Sequence, residues 1–115
     1  MSRRRYEILL PLRYNDGSTV EPEKLFETQE ELVAAFGALT TSPEQFRGIW
    51  MQEGQRFEDE HFRLVVDIEA TPEHRAFFAK FKERLKERFR QIDIWIVSYE
   101  IEVLSIRVAI ATMPI

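Results

Sequence analysis

Along "YEILLPLR", residues 6 to 13, Tyr6, Ile8, Leu10 and Leu12 recur at every second position, a period of two that predicts a strand with one strongly apolar face. Asn15-Asp16-Gly17 then supplies turn chemistry and breaks it. In the next segment Leu25, Phe26, Leu32, Val33 and Phe36 fall at helical spacing. Pro22 suits a first turn and Gly37 a stop, so the spacing predicts one helix over 22–36. Thr28 with Glu31 is also a capping box, which allows an irregularity near Thr28. "TTSPEQ" reads as loop. "FRGIWMQ" and "FRLVVDIE" read as two strands flanking the charged turn "EGQRFEDE", with Gly48 marking a bulge or close approach. A second helix begins after Thr71, an N-cap followed by Pro72 and Glu73. Phe77, Phe78, Phe81, Leu85 and Phe89 then form a single stripe, which is core rather than a cofactor contact. "DIWIVSYEIEVL" closes the pattern as a long strand.

The order β-α-β-β-α-β, with right-handed crossovers, predicts an α+β ferredoxin-like fold. Its four-stranded antiparallel sheet has strand order 4-1-3-2 and both helices on one face. A single domain is expected over 1–115, with its core in 6–104. The apolar 105–115 would be an added strand or arm. Pro11 is awkward in a central strand and is placed at the strand's end or at a bulge.

Helix-facing positions are expected to be Tyr6, Ile8, Leu10 and Leu12; Phe62, Leu64, Val66 and Ile68; and Trp95, Val97, Tyr99 and Ile101. The opposite face would then carry Leu9, Pro11, Val65, Ile94 and Ile96 as an apolar patch. Such patches mark association, and twofold pairing of sheets would bury this one. A homodimer is therefore expected, with those five residues at its interface.

Composition narrows the classes. With 115 residues, 44% hydrophobic and 31% charged, the chain is an ordinary globular domain that needs no metal or disulfide staple. The absence of cysteine removes disulfides, zinc thiolates and thiol nucleophiles. The basic start is followed by too short an apolar run for a signal peptide or membrane span, so a cytoplasmic protein with no membrane partner is expected. Net charge is −4, but residues 72–91 hold seven basic residues against three glutamates, leaving −8 elsewhere. A basic segment on an acidic body suggests an anionic partner. The plainer reading is a solvated helix face.

Candidate chemistry concentrates in "GIWMQEGQRFEDEH". Trp50 is a core or dimer-interface aromatic, or a stacking plate for a planar ligand. Glu53, Glu58, Asp59, Glu60, His61 and Arg63 are candidates for binding a ligand or partner. Glu58, Asp59, His61 and Arg63 are weighed as a hard-cation or acid-base site. Against this, there is no HxH or HxxE spacing, so no metal and no cofactor is expected. The alternative is a surface ion network with Arg3, Arg4 and Arg5, which the expected topology brings to the hairpin end. Catalytic residues are unassigned.

Three functions follow. The first is a non-enzymatic module that pairs with itself and binds a protein or small molecule through the outer sheet face or the 48–61 hairpin. The second is a cofactor-free enzyme with an aromatic substrate between sheet and helices, in a chamber lined by Tyr6, Trp95 and Tyr99 and served by His61, Asp67 and Tyr14. The third and weakest is nucleic-acid binding through the basic helix, since the outer face lacks the aromatic residues of RNA-recognition modules.

The segments "YEILLPLRYNDG", "FGALTT", "GIWMQEGQRFEDE", "LVVDI" and "FKERLKERFRQIDIWIVSYEIEVL" resemble a family of small uncharacterised bacterial proteins, and a wider domain family of unknown function with the same order of elements. The shared positions are Gly48, Trp50, Gly54, Asp59, Glu60, Arg88, Phe89 and Gln91, within a match over residues 6 to 104. The resemblance implies bacterial origin, a ferredoxin-like fold and no assigned activity.

Overall fold

The computed structural model describes residues 2–42 and 46–104; the side chains of Phe46, Arg47, Trp50, Gln52, Phe57, Glu58 and Asp59, and the whole of 105–115, lie outside the described set. The elements run β1 (Arg3–Pro11), α1 (Pro22–Phe36), β2 (Thr40–Thr41), β3 (Phe46–Gln52), β4 (Gln55–Glu69), α2 (Pro72–Arg88) and β5 (Trp95–Ile101). All strand pairs are antiparallel, in the order β2-β4-β1-β5, with β3 also on β4. This is the ferredoxin-like order expected, with β2 and β3 sharing the place of the second strand.

One side of the sheet makes the core. Tyr6, Ile8 and Leu10 of β1 and Leu64, Val66 and Ile68 of β4 are buried against Leu32 of α1 and Phe78, Phe81, Leu85 and Phe89 from α2 and its end. Pro11 closes β1, where a missing N–H does least harm to the ladder. The helices start and stop as their sequences dictate. Thr71 accepts the N–H of His74 at 3.1 Å to cap α2, and Gly37, at φ 77°, ends α1. His74 is half-buried; its ring sits edge-on to Phe36, and Nδ1 lies 2.6 Å from the Glu69 carbonyl. A carbonyl only accepts, so Nδ1 carries the proton in that contact.

Three outcomes bear on these expectations, the first as predicted and the other two as corrections. First, α1 spans Pro22–Phe36 and is continuous through Thr28. That residue is fully buried, its Oγ1 donates to the Lys24 carbonyl, and Glu31 turns to α2 instead of closing a capping box. Second, β4 starts at Gln55, and Thr40–Thr41 forms a short edge strand in what reads as loop. A two-residue turn at Glu53–Gly54, with φ of 51° and 78°, lets the ladder run up to the Gln52↔Gln55 pair. The hairpin then stands out from the body. The radius of gyration is 17.1 Å and the extents are 60 × 26 × 26 Å, against about 13 Å expected for the radius of a compact domain of this length.

Third, β5 has the opposite parity. Its register pairs Tyr6 with Ser98 and Ile8 with Ile96, so Ile96 and Ser98 share the helix side. Ile94 is 2% exposed within the core and Ile96 packs against it. Neither is available to an outer-face interface. Trp95, Val97, Tyr99 and Ile101 take the outer face in their place, beside Leu9, Glu7, Arg5 and Arg3. The loop after α2 delivers Ile94 inward as the first residue past the turn, and a one-residue shift reverses every side chain that follows.

Candidate ligand site at the hairpin base

The end of β1, the middle of β4 and the loop from α2 into β5 meet where the hairpin leaves the body. They enclose a cavity of about 160 Å³ bordered by Leu9, Pro11, His61, Gln91, Asp93 and Trp95. Each is placed by a local cause. Pro11 and His61 are register partners on the outer face, as are Leu9 and Trp95. The loop turns tightly because Arg90, at φ 53°, takes the left-handed position that ends α2, and the Gln91 N–H reaches back to the Lys86 carbonyl at 2.8 Å. Gln91 Nε2 donates to the Phe89 carbonyl at 3.1 Å, which aims its amide along the loop.

Asp93 is fixed twice. Its Oδ1 accepts from Lys82 Nζ at 2.9 Å and from the Ile94 N–H at 2.9 Å. The lysine first, and then that backbone donor, hold the carboxyl below its ordinary value against the opposing effect of burial. Trp95 is 62% exposed. An exposed indole face, an imidazole, an amide and an ionised carboxylate can hold a planar, hydrogen-bonding ring by stacking and edge contacts.

The other predicted residues are dispersed. Glu53 sits exposed at the turn, and Glu60 is exposed on the helix side, bordering a separate cavity with Leu12 and Val20. Arg63 pairs with Glu7 at 3.0 Å on the outer face. Trp50, Glu58 and Asp59 hold register positions opposite Phe57, Ile49 and Gly48; their side chains lie outside the described set. Among the described residues no three His, Asp or Glu gather in a metal-binding group. Val65 is on the outer face, with Thr40 of β2 as its register partner, but it is only 6% exposed and so offers little surface to the expected interface.

The arginine-rich start is not at the hairpin. Antiparallel pairing sets Arg3 opposite Glu69, at the far end of β4. Arg5 grips Asp67 through two hydrogen bonds of 2.7 and 2.9 Å, and Tyr99 reaches Glu7 at 3.2 Å. Asp67 and then Tyr99 keep Arg5 charged more firmly than an ordinary guanidinium, and Arg5 in turn depresses the Asp67 carboxyl.

The chamber expected for an enzyme does not form. Tyr6 is stacked on Phe78, ring centroids 4.1 Å apart, while Trp95 and Tyr99 lie across the sheet. Tyr14 is buried elsewhere, bonded to Glu21 and to Lys24, with Arg90 over its ring at 4.4 Å. Part of the charge of α2 is also spent locally: Lys82 on Asp93, Lys86 on Glu83, Arg88 on Glu31 and Glu27. No helix among the described residues is long and apolar enough to cross a membrane.

Sequence reasoning passed over Asp93 and the exposure of Trp95. The tryptophan could have been found by reading "IDIWI" in both parities.

No family model matches the chain, and no curated protein does. Solved structures do match. The divalent cation tolerance protein CutA1 from Thermus thermophilus is similar at 21% identity and a TM-score of 0.61, covering 95% of this chain and 92% of that one. CutA1 from Oryza sativa is similar at 9% identity and 0.63, covering 94% and 87%. A phage SAM lyase, solved in complex with S-methyl-5′-thioadenosine, is similar at 16% identity and 0.61, covering 88% and 90%. At these identities the likeness is one of fold: the chain has the ferredoxin-like fold of the CutA1 divalent cation tolerance proteins.

Proposed function

We propose that this protein is a small binding module that pairs with a second copy of itself through the apolar edge of its outer sheet face and holds a planar small molecule at the hairpin base. One observation carries the reading. Trp95, the first residue of the edge strand β5, exposes 62% of its surface, and it heads a stripe that continues through Val97, Tyr99 (42% exposed) and Ile101. Large aromatic residues left in water on an edge strand are costly unless something covers them. The face is suited to a second copy because its middle is already neutral. Arg5 with Asp67 and Glu7 with Arg63 are matched within the chain, so two such faces meet without repulsion.

A ligand at the hairpin base is favoured by Trp95 serving both surfaces, since it borders the cavity as well as the stripe. The phage SAM lyase of the same fold was solved with a thioadenosine bound, and a purine is one ring that an indole and a carboxylate can hold.

The test is mass by light scattering over about 1–100 µM, the range in which weak dimers separate. The expected result is twice the chain mass for the native protein and one chain for Trp95→Asp. A native protein that stays at one chain mass across the range refutes the pairing.

A further inference from the structure

A second groove lies on the opposite side of the sheet, between α2 and β5. One open cavity of about 330 Å³ is bordered by Arg4, Tyr6, Thr71 and Arg75. Another of about 170 Å³ is bordered by Tyr6, Phe78, Ala79, Lys82 and Ile96. Tyr6 borders both, which sets the two cavities next to each other along α2. Arg75, Phe78, Ala79 and Lys82 recur at helical spacing and make one wall, a rise of about 10 Å from end to end.

The two ends differ in charge. Lys82 is held by Asp93 at 2.9 Å. At the other end Arg4 gives Nε–H to Ser98 Oγ at 2.9 Å and Nη2 to the Ser98 carbonyl at 3.4 Å, both neutral acceptors. Glu100 faces Arg4 in the strand register, but the guanidinium is turned along β5 to Ser98. Arg75 is exposed on α2. Two guanidiniums thus border one cavity, and neither pairs with a carboxylate among the described residues. The floor between the ends is apolar, built on the Tyr6–Phe78 stack.

The geometry points to a binding site for a small amphiphilic carboxylate. Its head lies between Arg4 and Arg75 and its apolar body along Tyr6, Phe78, Ala79 and Ile96. Guanidinium forks match a carboxylate's two oxygens in a way that no neutral head reproduces. This groove is separate from the hairpin-base site and does not depend on it.

The experiment is calorimetric titration of the full chain with 4-phenylbutyrate, with 4-phenylbutanamide as the neutral isostere. We expect the carboxylate to saturate at one per chain and the amide to bind about tenfold weaker, the loss of one charge-assisted contact. Arg75→Gln is expected to weaken the carboxylate by a similar factor. Ala79→Phe, which fills the apolar end and leaves both arginines in place, is expected to abolish binding. Both are exposed positions of α2, so neither variant disturbs the core. Equal affinity for acid and amide overturns the proposal. So does affinity untouched by either substitution, or a titration with no saturation up to about 10 mM.

Discussion

Arg88, the last residue of α2, grips Glu31 of α1 with two parallel hydrogen bonds, Nη2 to Oε1 at 2.8 Å and Nη1 to Oε2 at 3.1 Å. The same Nη1 also reaches Thr28 Oγ1 at 2.9 Å. This clamp joins the two helices, and only 13% of the Arg88 side chain is exposed. Replacing Arg88 by Ala is expected to cost about 2–3 kcal/mol in urea unfolding, because it strands partly buried acceptors. Arg88→Lys should recover less than half, since an ammonium cannot make the paired contact. A coupling energy between Arg88→Ala and Glu31→Ala below about 0.5 kcal/mol would show the pair to be ornamental.

The inverted parity of β5 makes neighbouring residues respond in opposite ways. Ile94→Asn places an amide in the core and is expected to destabilise by at least about 3 kcal/mol. Trp95→Asn, one residue on, should change the stability of the separated chain by no more than about 1 kcal/mol while preventing association. Unfolding at low protein concentration separates the two effects.

Asp67 dictates a pH response. Arg5 holds its carboxyl below the ordinary 3.8, so in acid the unfolded chain takes up this proton before the folded one does. The stability that the Arg5–Asp67 pair contributes is whole above that ordinary value and is lost as pH falls through the lower, folded one. The gap between native protein and Asp67→Asn should therefore be flat from about pH 5 to 7 and narrow below pH 4. A gap that is unchanged at about pH 2.5 would remove Asp67 from the account.

Gly54 gives a local test. An added Cβ there would meet nothing within 4 Å, so any cost of Gly54→Ala comes from its φ of 78° alone. The expected penalty is about 1 kcal/mol. It should appear as a roughly fivefold loss of amide-exchange protection in the hairpin, with little movement of the global unfolding midpoint. Glu53→Asn, better suited to φ 51°, should act in the opposite direction.

Where apolar and polar residues contrast, the sequence was readable. In β1 the buried apolar core is the even-numbered run from Tyr6, with Pro11 buried as well at the strand's end, and in α2 it is the phenylalanine stripe with Leu85. Ile94-Trp95-Ile96-Val97 offers apolar residues to both sides, so no pattern distinguishes inward from outward; the loop after α2 decides. The early part of β4 was hidden for the opposite reason. "QRFEDE" is nearly all charged, and strand pairing there needs only backbone groups and a turn of the right twist. Of the candidate site, His61 was legible as a titratable residue near the turn. Asp93 was not, since its partner Lys82 is eleven positions away on a helix and no spacing rule links them.

β4 is one unbroken strand of fifteen residues, from the turn at Gln55 to Glu69 beside α2. Its first seven residues belong to the hairpin, and from His61 onward it is also bonded to β1. No loop separates the projecting part from the central rung of the sheet. A grip on the tip at Glu53–Gly54 therefore pulls on the backbone that carries His61, as a crank handle turns its shaft.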